Sequence, residues 1–236
     1  MTKFFFKTLL FLLIALIVSI LILSTTGVTT DKFNAFILNK INNNYKDTTL
    51  KLEKIKFKFD IKKVSLFIET KNPEINYQNL IIPIENVKVY LNFISLIKSK
   101  IQIDKMNISS QEIKINQLKD LMIKVKPSNI NSLIINKVKS GKLNANVDLY
   151  FDDNLEIKNL IARGSVEEMN MNLIQNLPFN DTSFNFFFDT SDIIIKNIKT
   201  KINGVLLRDG NLYLTRGNEI TLKSEFSTDI NINKGN

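Results

Sequence analysis

The 236-residue chain has a formal charge of +9 and contains neither Cys nor His. Disulfides and thiolate metal sites are therefore excluded, and the commonest general base and imidazole ligand is missing. The lysines alternate with apolar residues and do not gather into one block, and there is no Arg-rich arm, so we read the charge as a solvated face and not as a nucleic-acid footprint.

Thr8–Thr30 carries no charge, and a helix of that length covers roughly 34 Å against a hydrocarbon core of about 30 Å. Leu9, Leu12, Ile14, Leu16, Ile17, Ile20 and Leu23 form the expected membrane anchor within residues 1–30. Lys3 and Lys7 precede the run, and the positive-inside rule then places the N-terminus in the cytoplasm and the remainder across the membrane. A cleaved signal peptide is the competing reading. Its apolar region would be shorter, and Leu23-Ser24-Thr25-Thr26-Gly27 makes a poor cleavage site.

Residues 31–48 read as a short amphipathic helix, because Phe33, Phe36, Ile37, Ile41 and Tyr45 recur at helical spacing. It would either lie on the bilayer or plug the end of a sheet. From Leu50 the period changes to two. Ile55, Phe57 and Phe59 alternate with charged residues, while Leu50 and Leu52 have the opposite parity, which predicts a bend near Glu53-Lys54. Leu66 and Ile68, then Val87, Val89 and Leu91, carry the alternation through a first meander over 49–126. Phe93, Leu96 and Ile97 fit a helical turn, and Leu118–Val125 fits a short helix. Lys126-Pro127-Ser128-Asn129 marks a break. A second meander over 127–236 continues the sheet, with Phe184, Phe186 and Phe188 giving it an aromatic side.

Catalytic constellations are absent from this pattern. Neither phosphate-binding glycine motif occurs, and Asp152-Asp153 and Glu167-Glu168 read as solvated turn or edge charges, so we expect no enzyme, no cofactor and no metal site. Asn107-Ile108-Ser109 and Asn180-Asp181-Thr182 match the glycosylation pattern, as chance allows in an Asn-rich chain. What recurs is one apolar side on many successive strands. It can close into an ordinary sandwich or barrel core, or stay partly open as a curled trough; alternation alone does not separate the two.

Residues 64–108, from Val64-Ser65-Leu66 through Asn72-Pro73 to Phe93-Ile94-Ser95-Leu96-Ile97 and Ile101-Gln102-Ile103, resemble the N-terminal module of AsmA-like proteins, the group that includes TamB- and YhdP-type members. The resemblance implies a mainly β protein in which a transmembrane helix and an amphipathic helix precede a curled, mostly antiparallel sheet forming an open groove. It further implies a bacterial inner-membrane anchor, a periplasmic body and a groove that conducts phospholipids in support of outer-membrane biogenesis. Ile55, Phe57, Phe59, Leu66, Ile68, Val87, Val89, Leu91, Phe184, Phe186 and Phe188 are the expected groove lining. Membrane lipids are the expected partners, with another envelope protein able to extend the sheet. A single-span adaptor of the lipopolysaccharide-export jelly-roll type and a non-lipid interaction scaffold are the rival readings.

Overall fold

The computed structural model of the chain describes residues 2–31, 34–35, 38–39, 47–62, 64–92, 95, 98, 102–154, 156–174, 177–217 and 219–228. The amphipathic helix expected over 31–48 falls mostly outside them, with 34–35 and 38–39 helical. The turn at Phe93, Leu96 and Ile97 also lies outside the described residues.

Helix α1 spans Thr2–Thr25, and its segment Phe4–Thr25 is long and apolar enough to cross a membrane, with none of it buried against the rest of the chain. Leu9, Leu12, Ile14, Leu16, Ile17, Ile20 and Leu23 all lie on it, each at least partly exposed. Its hydroxyls are satisfied by its own carbonyls: Thr8 donates to Phe4, Ser19 to Ala15 and Thr25 to Leu21 at 2.7–3.0 Å. Such back-bonding lets a hydroxyl sit in hydrocarbon without an unmet donor.

Gly27 ends the helix at φ +70°, a conformation that favours glycine, and a Cβ there would lie 2.7 Å from the Phe57 carbonyl oxygen. The sheet starts at once. Strand β1 (Val28–Thr30) pairs antiparallel with β3 (Ile55–Asp60), which pairs in turn with β4 (Ser65–Lys71). Next across the sheet come β7 (Ile84–Leu91), β8 (Ile103–Ser110), β10 (Val138–Phe151), β11 (Ile157–Ile174), β12 (Leu177–Phe188), β13 (Asp192–Ile202), β14 (Val205–Arg216) and β15 (Ile220–Thr228). The two-residue strand β9 (Ile113–Lys114) also pairs with β10. A separate three-stranded sheet joins β2 (Thr48–Lys51), β5 (Glu74–Tyr77) and β6 (Leu80–Ile82). The bend expected near Glu53-Lys54 is the point where the chain leaves the small sheet for the large one.

Among the described strands β1 and β15 do not meet, so no barrel closes. Apart from strand pairing, α1 adjoins β3 where the helix ends, and the packing among the described elements comes mainly from two helices, α2 (Ile115–Lys124) and α3 (Asn129–Lys137), on each other and on β9, β10 and β11. A second sheet layered over the first is not among these contacts. The fold is an open antiparallel sheet with two helices at one side, not a sandwich.

Helix α2 occupies the stretch whose apolar spacing fits a helix. Helix α3 is an element the strand alternation hides. Its signal is the Lys126–Asn129 break itself, where Ser128 serves as N-cap and its hydroxyl accepts from the Asn131 amide at 3.1 Å.

Candidate functional site: an apolar trough

Directly opposed residues in an antiparallel ladder share a face, so the register assigns every side chain to one side of the sheet. Ile55, Phe57 and Phe59 oppose Thr70, Ile68 and Leu66, which oppose Val87, Val89 and Leu91. Val87 and Val89 oppose Ile108 and Met106, and these oppose Val147 and Leu149. From there the row passes through Ala162 and Leu160 on β11, and Phe188 pairs with Ala162, Phe186 with Gly164 and Phe184 with Val166. All the residues expected to line a groove therefore lie on one face of one sheet. Ile55 and Leu91 are buried there; the others are half-buried.

That face is folded along a crease. Glu168, Asp181, Asn197 and Asp209 take positive φ on β11, β12, β13 and β14, and Gly141 does so on β10. Register shifts coincide with them in each ladder. A short polar residue tolerates this left-handed conformation better than a branched one, and a bulge adds one residue, bends the strand and sharpens its twist. Side-chain parity consequently flips across each bulge. Val166 gives way to Met169 and Met171, Phe179 to Thr182 and Phe184, and Ile195 to Ile198 and Thr200, yet all face one concavity. In the first half of the sheet the parity flips at Glu53-Lys54, Asn72-Pro73 and Gln111-Glu112, where the chain passes between sheets or between strands, and at Glu85, where the β7–β8 ladder shifts register.

The concavity is a trough of about 640 Å³, within the size range of small-ligand sites. Met169, Thr182, Ile198 and Thr200 form its floor, each buried. The Thr182 and Thr200 hydroxyls bond each other at 2.7 Å, so the floor shows no unmet hydroxyl there. Val166, Phe184, Ile195 and Leu212 flank it on one side, Met171, Phe179 and Ile202 on the other, and Leu118, Leu133 and Ile134 overhang it from α2 and α3. Among the described residues the only charged member of the lining is Lys142, whose ammonium is held by Glu168 at 2.8 Å.

Of the expected lining, Phe184 alone is part of this cavity. Phe186 lies beside it, its ring across Gly164. Phe188 and the residues from β3, β4 and β7 occupy the same face farther along the sheet. The cavity residues that alternation passes over are those next to the bulges. Their signal is the parity flip at a single Asp, Asn or Glu.

Several carboxylates in these stretches have structural partners. Glu168 pairs with Lys142 and Asp181 with Lys201 at 2.9 Å, while Asp152 accepts from the Asn154 and Glu156 amides in a turn. No group of three or more acidic residues able to hold a metal occurs among the described residues. Of the two glycosylation-pattern asparagines, Asn107 donates within the sheet to Asn146 and Asp148.

The opposite face of the sheet carries the charged side chains, interleaved with Phe67, Tyr90, Phe187 and Ile194. Glu69, nearly fully buried, is bound by Lys58 at 2.8 Å, by Asn86 at 3.0 Å and more distantly by Lys88. Asp148 is held by Lys105 at 2.9 Å and Arg163 at 2.7 Å. Burial acts to raise both carboxyls, but these bonds and charges outweigh it and hold both below the usual range. A depressed folded-state pKa contributes stability above the unfolded value and loses it as pH falls. Thermal stability is therefore expected to be flat from neutrality to about pH 5 and to drop below about pH 4. Asp148→Asn should be less stable at pH 7 and should lose less on acidification; a melting curve with unchanged acid dependence in that variant contradicts the assignment.

Compared with family models, with curated proteins and with solved structures, the chain matches none.

Proposed function

We propose that this chain is a single-pass membrane protein whose trough shelters the hydrocarbon chains of phospholipids outside the bilayer, as the resemblance to AsmA-like proteins implies. In this reading α1 anchors it in a bacterial inner membrane with the N-terminus cytoplasmic and the sheet in the periplasm, where it serves outer-membrane biogenesis as a passive conduit. The observation that carries the reading is the crease trough: an unfilled cavity lined almost wholly by apolar side chains, on a sheet with no second layer. Water gains nothing from such a surface, whereas each methylene sheltered there is worth about 0.8 kcal/mol. The apolar row continuing from Phe184 to Phe57 supports a path longer than the cavity itself, and Phe57 sits on the strand beside the end of α1. Eleven strands in the long path at their usual spacing extend over about 48 Å.

Photoreactive residues at Phe184 and Phe57, activated in cells, test this. Phospholipid adducts from both positions are the expected result. Adducts with lipopolysaccharide overturn it in favour of the export-adaptor reading, and the absence of any lipid adduct overturns it in favour of a protein scaffold.

A further inference from the structure

Strand β15 is the last of the large sheet, and all nine of its residues are exposed, including Ile220, Leu222 and Phe226. One of its edges pairs with β14; among the described strands nothing pairs with the other. The opposite end of the sheet is different in kind, since β1 is three residues long and abuts the end of α1. Natural edge strands are kept from pairing by shortness, proline or bulges. β15 has no proline, and the register shift it shares with β14 lies near its far end. It is long, regular and apolar on its trough side.

Its sequence is also complementary to itself. Laid antiparallel against a second copy and centred on Ser224, the strand sets Leu222 opposite Phe226, Thr221 opposite Ser227 and Ile220 opposite Thr228, and Lys223 opposite Glu225. Both charges point away from the trough, where Lys223 and Glu225 now bond each other at 2.8 Å within one chain. We infer that the chain forms a two-fold dimer through antiparallel pairing of β15 with β15. An isologous contact requires one strand to complement itself, and here it does so in charge, in size and in face. The two-fold lies along the local sheet normal, so trough side meets trough side. Phe226, which closes the end of the cavity, then stands beside the partner's Leu222, and the apolar face of one copy runs into that of the other. The inference is independent of what the trough carries.

Charge reversal at the paired positions tests it on the full chain in detergent and in nanodiscs, with mass read by sedimentation or light scattering. Wild type is expected to be dimeric. Lys223→Glu and Glu225→Lys alone each set like charges opposite one another at two equivalent places and should weaken the dimer about thirtyfold. The double variant should restore it, and the two single variants, mixed, should pair with each other. Because the chain has no cysteine, Ser224→Cys adds a single thiol at the two-fold, and oxidation should link two copies through it. A monomeric wild type overturns the inference. So does a dimer that is indifferent to both single reversals and gives no Ser224→Cys cross-link.

Discussion

Gly164→Val is expected to destabilise the fold by about 3 kcal/mol. The glycine sits mid-strand on β11 between Ala145 and Phe186, and any Cβ there runs into the Asn144 carbonyl oxygen and comes within 2.8 Å of the Phe186 ring. A backbone oxygen cannot move aside as a side chain would, so either the β10–β11 ladder opens or the ring leaves the trough face. Gly217→Ala is the matched control, because its nearest neighbour is 3.8 Å away, and should change stability by no more than about 0.5 kcal/mol. Urea unfolding followed by far-ultraviolet circular dichroism compares them; equal costs at the two positions would show that Phe186 does not lie on Gly164.

Phe184→Glu is expected to empty the trough while leaving the sheet folded. Phe184 is half-buried against Val166 and borders the cavity, so a carboxylate there hydrates readily when the trough holds no lipid. Against a bound acyl chain it stands in hydrocarbon, at a cost of about 3 kcal/mol, or more than a hundredfold in occupancy. Phe187→Glu changes the neighbouring position on the opposite face, beside Arg163, and should leave occupancy unchanged. Phospholipid extracted per mole of purified protein distinguishes them. Equal retention by the two variants removes the trough from the binding account.

The apolar face was legible in the sequence because side-chain period in a strand is fixed at two: once Ile55, Phe57 and Phe59 alternate with charge, pairing carries the same parity across every ladder. The crease was not legible by that rule, since it consists of the places where the rule breaks. Glu168 and Asp181 sit in stretches that read as an acidic pair and as a glycosylation pattern, although each is the residue at which a strand bends. The step from Ile195 to Ile198, an odd position to an even one across Asn197, was the available sign. Helix α3 escaped for a related reason. Ser128 lies in a stretch that reads only as a break, whereas its hydroxyl begins a helix, and α3 supplies Leu133 and Ile134 to the cavity. What faces what is thus a local property, whereas where the sheet folds depends on single left-handed residues aligned across strands far apart in sequence.

The claim on which the rest depends is that the folded sheet holds a hydrocarbon-receptive space that its own side chains leave unfilled. A crystal structure of the full chain grown from phospholipid bicelles measures this directly. Elongated lipid density is expected over Met169 and Ile198, between Phe184 and Met171 and below the overhang of α2 and α3. A trough collapsed onto its own side chains, or filled by ordered water with no acyl density, would contradict the account.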